Sequence, residues 1–446
     1  MFQRRKRRVR LGFFAVLALA VAMLAPAIPA GADEPLGAAG PQQREDIFID
    51  KNREFDPAHG VVSGSGTASD PYVISGWNLR TVYIKDTSKH VKIVNNNIAG
   101  ELVLDWIGDG VTVRNNHIGD LRVNQNVPRK GDMTSGLISD NEIGVVGQLR
   151  HWDGVFENNV VGTQENMLQF PGFQAMNFDG FNGGRVQNNT FYGYVDSTLH
   201  GHHHSSSFDE EVISHYHGKE EAHHDMAGMM VDHSQRYHRV YIRNNTIHST
   251  NYFALRYNDI GHQANDRTAA SETNKELNKP HMHYTKVFMT GNKLVGSGLM
   301  VDVFNAKDKE VHLGTATGAV LIKDNNITLA RDTFQFFSRL VGIGVFAAED
   351  VMVDIVGNKV TGVRNDEAMP GQEWLEQPSV GIQLQQIDKA NLSLINNTLT
   401  QHGVGVEASF FTKSVDWVIK GLKTSAVDQP IYYDGNNVPN PPEEQP

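Results

Sequence analysis

One short phrase constrains this chain more than anything else in it. The phrase reads apolar-x-apolar-x-Asn-Asn-x-apolar. Clear copies are Val91–Ile98 (VKIVNNNI), Val111–Ile118 (VTVRNNHI), Val240–Ile247 (VYIRNNTI), Val320–Ile327 (VLIKDNNI) and Leu392–Leu399 (LSLINNTL). Weaker copies lie at Ile138–Ile143, Val155–Val160, Val186–Phe191, Val287–Leu294 and Val353–Val360. The closest copies start roughly twenty residues apart, which is the spacing of a repeat architecture. The apolar-x-apolar part is a short strand with alternate side chains facing inward. Asn tolerates left-handed backbone better than most residues and can turn the chain sharply. Stacked Asn side chains can also hydrogen-bond their equivalents in neighbouring coils. A single coil cannot bury its apolar face, so coils must stack, about 4.8 Å apart. The reading is an all-β, right-handed parallel β-helix solenoid. A sandwich or propeller would need antiparallel hairpins with tight Asn-Gly or Asp-Gly turns, whereas the punctuation here is Asn-Asn at coil spacing.

The N-terminus has the form of a secretory leader. Arg4, Arg5, Lys6, Arg7, Arg8 and Arg10 precede an apolar run from Leu11 to Leu24, and Ala30-Gly31-Ala32 gives a small-x-small cleavage signal before Asp33. The apolar run is short for a membrane span. Residues 1–32 are therefore expected to be a signal peptide and the protein to be secreted or extracytoplasmic, with no membrane span after cleavage. The whole chain has 40 Lys+Arg against 51 Asp+Glu, and losing the six basic leader residues leaves 34 against 51, or −17. Such an acidic surface disfavours nucleic acid and anionic lipid. The chain has no cysteine, so its stability must come from core and backbone ladders, and its 42 glycines suit a strand-and-turn protein. The expected organisation is an N-terminal cap over 33–80, the β-helix over 81–425, and a C-terminal cap with a tail over 426–446. The proline-rich, acidic stretch Asn436–Pro446 is expected to stay unpacked.

The segment Gly64–Trp77 (GSGTASDPYVISGW), followed by Asn-rich coils from about 80 to 425, resembles the opening of the NosD-like periplasmic and archaeal proteins within the pectate-lyase-like superfamily. That resemblance implies a β-helix, and NosD-like membership would imply a role in supplying copper to a maturing extracytoplasmic enzyme. Its coil pattern is shared by lyases, hydrolases, epimerases and non-enzymes, so fold alone does not choose the chemistry.

Interruptions of the repeat are where function is expected. One insertion lies at about 200–238. Another lies at about 259–283 and contains Ala270–Asn278 (ASETNKELN), a short helix with Ser271 as its cap and Pro280 beyond its end. The first is His-rich: eleven of the chain's twenty histidines lie between residues 200 and 248. His200-Gly201-His202 and His215-Tyr216-His217 are His-x-His pairs, whose rings face one side of an extended strand. His223-His224-Asp225-Met226 adds thioether to imidazole. Imidazole suits copper and zinc, thioether selects copper(I), and calcium would want oxygen ligands. The candidate metal ligands are His202, His204, His215, His217, His223, His224, Met226 and His233, with copper favoured and zinc possible. The alternative is a solvated His-rich loop, since three successive histidines, 202–204, cannot all face one ion.

A sugar-active reading competes. Equal counting from the Asn pairs puts Phe170, His200 and Arg256 in one column, with His202 and Asn258 the next outward positions and Asp302 near them one coil on. Arg256 could hold a uronate carboxylate bidentately, and a histidine beside it could act as general base. Val231-Asp232-His233 is similar to an Asp-His dipeptide of pectate-lyase coils. His200, His202, His233 and Arg256 are the catalytic candidates for a polysaccharide lyase or related enzyme acting on uronate-containing glycans. A non-catalytic glycan-binding solenoid is the third class. The expected partners are accordingly a polysaccharide or an extracytoplasmic metalloenzyme.

Overall fold

In the computed structural model the described residues are 41–107, 110–125, 136–150, 154–170, 172–179, 184–198, 239–260, 282–304, 314–330, 339–349, 351–364, 378–412, 414–434 and 438. They form a parallel β-helix solenoid. Its two walls are a 13-stranded sheet and a 20-stranded sheet. Each coil lays one short strand in the first wall, turns sharply at the Asn pair, and runs back through the second. That second wall is bent, so the middle coils cross it as a short arm (Thr246–His248) and a long arm (Phe253–Ile260). Coils nearer the two ends cross it as one strand, as in Trp77–Thr87, Asn97–Ile107 and Thr398–Phe411. Pairing is parallel throughout the described strands except for Val61–Ser63 against Tyr72–Ser75 at the N-terminal end.

The two residues of each Asn pair divide the work. The first turns the chain: Asn95, Asn115, Asn188, Asn244 and Asn396 all have φ between 55° and 58°. Asp140 and Asp324 take the same left-handed conformation, as do Gly291 and Gly357. The second residue is buried and forms a ladder. Ten asparagines, from Asn96 through Asn245 to Asn397, are each at most 3% exposed. From Asn96 to Asn358 each Nδ2 donates to the next Oδ1 at 2.9–3.1 Å. The same oxygen accepts the preceding asparagine's backbone N–H, and the second Nδ2 hydrogen reaches a carbonyl of the coil before, as Asn245 does on Val186. Within the ladder both Nδ2 hydrogens and the Oδ1 of the buried amide are thus satisfied, which is the condition for burying it at all. Trp77 caps the ladder at one end by donating its backbone N–H to Asn96 Oδ1. At the other end Leu422 follows the left-handed Gly421 where an asparagine would otherwise stand.

The interior is a set of apolar columns. In the 13-stranded wall one runs from Ile74 through Ile93, Val113, Ile138 and Phe156 onward to Ile419. Phe156 stacks on Phe191 and meets Phe178 edge-on, which fills the middle of the solenoid with rings. Glycine allows the second wall to bend: a Cβ on Gly381 would lie 2.7 Å from the carbonyl oxygen of Gly405.

The ends differ in detail from the organisation expected. Gln42–Gln43 and Ile47–Asp50 already pair in parallel with Trp77–Thr87, so the first coil starts inside the segment read as a cap. At the other end the strand Lys423–Tyr433 completes a coil on Thr398–Phe411. Val438, within the stretch expected to stay unpacked, is 4% exposed and joins the core, while the other residues of Asn436–Pro446 lie outside the described residues. A helix not anticipated, Gln164–Gln169, occupies the bend of one coil and is capped by Thr163. The expected helix at 270–278 and the His-rich insertion lie outside the described residues. No helix among the described residues is long and apolar enough to cross a membrane.

Candidate functional site

The long arms of the second wall end side by side. The chain leaves them at Thr198, Ile260 and Phe304, and enters the other wall at Arg239, Met282 and Gly314. Three consecutive coils therefore send their longest connections out of one corner: residues 199–238, 261–281 and 305–313. The strands beneath that corner carry a polar group. Strand alternation turns Val195, Leu255, Tyr257 and Val301 inward and Asp196, Arg256 and Asp302 outward. Asp196 pairs with Arg256, and Asn258 with Asp302. Arg256 is directly opposite Met300, so Asp302 lies diagonally from it, about 7–8 Å away at Cα.

Arg256 thus sits between two carboxylates on neighbouring coils. Its Nε is buried and finds no hydrogen-bond partner among the described residues, and the same holds for Asn258 Oδ1. Burial raises the pKa of Asp302 above the ordinary carboxylate value, an effect the Arg256 charge partly offsets. Burial also raises the Tyr194 hydroxyl, with Asp196 adding to the shift and Arg256 opposing it. The arrangement offers a guanidinium with an unpartnered Nε for a carboxylate, a carboxylate of increased basicity, and a hydroxyl that stays protonated.

The column reached by equal counting is corrected here. Arg256 stands in it, but its partner one coil back is Asp196. Phe170 is the C-cap of the helix Gln164–Gln169 and is 59% exposed, away from the strand column. Counting failed because the bend has a different length in every coil. Asp196 follows Asn189 by seven positions through Gly193, whereas Arg256 follows Asn245 by eleven through the turn at 249–252. Asp302 is two residues along from Arg256's partner rather than beside it. Asp196 and Tyr194 were missed for the same reason, although Gly193, with φ 130°, marks the bend from which to count.

The other sequence candidates, His200, His202, His204, His215, His217, His223, His224, Met226 and His233, lie outside the described residues. Among the described residues no group of three or more His, Asp or Glu side chains is placed to hold a metal ion. Of the eleven clustered histidines, His248 is described: it stacks on Tyr192 at 5.1 Å, and burial together with Lys293 lowers its pKa. A second histidine, His402, is fully buried and is a core residue, with Nδ1 3.0 Å from Ser379 Oγ and Nε2 3.3 Å from Val360 O.

The fold defines the class of this protein as a parallel β-helix solenoid. No family model, curated protein or solved structure matches the chain.

Proposed function

We propose that this β-helix binds and cleaves a uronate-containing polysaccharide on the face around Arg256. One observation carries the reading: an outward guanidinium with an unsatisfied Nε is set between Asp196 and Asp302 at the corner where three long connections leave. Arg256 would pair with the uronate carboxylate and so acidify the proton on C5. Asp302, its basicity raised by burial, would take that proton. The C4–O4 bond then breaks, a double bond forms between C4 and C5, and Tyr194 donates the proton that leaves with O4. His200, His202 and His233, carried by the adjoining 199–238 connection, are the other candidate bases. Asn258 Oδ1 would accept from a sugar hydroxyl. Incubation of the protein with a panel of uronate polymers should release unsaturated oligosaccharides, and Arg256→Ala should remove that release. Full activity in Arg256→Ala would show that the site lies elsewhere. Binding without product release would leave a glycan-binding solenoid.

A second reading has its own support in the sequence. The stretch 200–238 concentrates His-x-His pairs and Met226 between two anchored strand ends, Thr198 and Arg239. In this reading His202, His204, His215, His217, His223, His224, Met226 and His233 supply ligands for copper, or for zinc, as the NosD-like resemblance implies, and the partner is an extracytoplasmic metalloenzyme. Metal that stays near-stoichiometric after dialysis would support it. Failure to take up metal on reloading would end it.

A further inference from the structure

The other wall of the solenoid carries a basic patch without a carboxylate partner among the described residues. Its strands Gly184–Gln187, Arg239–Arg243 and Met282–Thr290 lie side by side. Together they contribute Arg185, Arg239, Arg243 and Lys286, and no Asp or Glu. The chain as a whole has a net charge of −11, so a concentration of positive charge here runs against its average.

Register places the group around one ring. Tyr241 pairs with Arg185 on one side and Phe288 on the other, while Arg239 and Arg243 are two residues before and after it on its own strand. All of these positions share the outward parity, because Val186, Val240, Ile242, Val287 and Met289 fill the interior. The Tyr241 and Phe288 rings stack at 4.9 Å, and the Arg243 guanidinium lies over Tyr241 at 5.8 Å while its Nε donates to Gln187 at 2.8 Å. The patch is therefore held in place by ring stacking and by the Gln187 amide, whose Nε2 donates in turn to Glu157 at 2.5 Å on the adjoining strand. Two other cations of this wall do have carboxylate partners, Arg114 with Asp140 at 3.1 Å and Lys323 with Asp324 at 3.7 Å, while Lys92 and Lys420 stand singly on strands away from the patch. None of Arg185, Arg239, Arg243 and Lys286 has a carboxylate partner among the described residues.

We infer that this face is a docking surface for a carboxylate-bearing polysaccharide, separate from the Arg256 site on the opposite wall. Charge complementarity selects an anion. Four cations distributed over three strands, each about 4.8 Å from the next, suit a polymer with one charge per ring unit. A densely charged polyphosphate would be repelled by the acidic remainder of the molecule. The aromatic pair offers apolar edges to the non-polar faces of sugar rings between the charges.

The test compares two full-length proteins, Arg256→Ala alone and Arg256→Ala combined with Arg185→Gln, Arg243→Gln and Lys286→Gln. Both lack Arg256, which keeps the reading of that site out of the comparison. Binding of polygalacturonate is measured by calorimetry at low salt, with its methyl-esterified form and a DNA duplex as competitors, and matched thermal melts check folding. The expected result is at least a tenfold loss of affinity in the combined variant, no binding of the esterified polymer, and weakening of the parent's binding by added salt. Lys286→Glu, a single exposed change, should produce a smaller loss in the same direction. Equal affinity in the two proteins, absence of polymer binding to the parent, or tighter binding of DNA than of polygalacturonate would each overturn the inference.

Discussion

Asn189 and Asn245 are 56 positions apart in the chain and adjacent in the fold: Asn189 Nδ2 donates to Asn245 Oδ1 at 3.0 Å, and Asn189 N–H donates to the same oxygen. The entire His-rich segment leaves and returns between them. The solenoid continues across that departure as though the two coils were consecutive, and the first prediction follows from this.

Asn245→Ala should be far more damaging than any change at Asn244. It removes the acceptor of two Asn189 donors and the donor to Asn292 in a site 1% exposed. A loss of about 2–4 kcal/mol is expected from buried groups left without partners. Asn244→Gly should be close to silent, because its φ of 55° is open to glycine and Gly291 holds the same turn one coil on. Urea unfolding of the two variants makes the comparison.

His402 should make the protein acid-sensitive. Val360 O can only accept, so Nε2 carries the proton and Nδ1 accepts from Ser379 Oγ. Burial pushes the folded pKa down to about 4 from 6.5. The unfolded chain binds a proton as pH drops below 6.5 while the folded chain resists until about 4. The stabilisation is therefore complete above pH 6.5 and is lost on going down through that window, by on the order of 3 kcal/mol. Stability measured against pH should show this slope, and His402→Leu should flatten it.

If the face around Arg256 catalyses elimination, its acid limb should follow Asp302. Burial raises that carboxyl above 3.8, so turnover should fall at a pH higher than an exposed aspartate would give. Asp302→Asn should abolish turnover while keeping polymer affinity within a few-fold. An unaltered pH profile in Asp302→Asn would assign the base to another group.

Replacing His215, His217, His223 and His224 together by Ala should abolish tight copper or zinc uptake while the far-UV circular dichroism stays that of the parent. Collapse of the β signal would mean that these residues belong to the core.

The fold was legible in the sequence because the phrase that builds it repeats. Asn95-Asn96 and Asn396-Asn397 look alike at a distance of some 300 residues because the left-handed turn and the buried amide are needed in every coil. Even Asp140-Asn141 and Gly291-Asn292 keep the second residue and vary only the first, as the two roles require. The site was less legible because nothing in it repeats. Arg256 could be picked out as a charged residue in a strand, but its neighbours depended on the bend, which is a glycine after Tyr192, a helix after Thr163 and a four-residue turn after His248. The basic patch went unread because its members, Arg185, Arg243 and Lys286, are far apart in sequence and meet only once the strands are in register.

A parallel sheet whose side chains alternate in and out could slide by two residues and still keep its apolar face inside. The buried amides forbid that slip, since a shifted coil would place an aliphatic side chain where a donor and an acceptor are required. Each coil is thus re-registered as it passes the asparagine, whether the detour since the last one was 18 residues, as from Asn141 to Asn159, or 56. Errors in loop length do not accumulate from coil to coil. Evolution can therefore exchange the contents of one connection for another of any size, as cargo, without rewriting the coils that carry it.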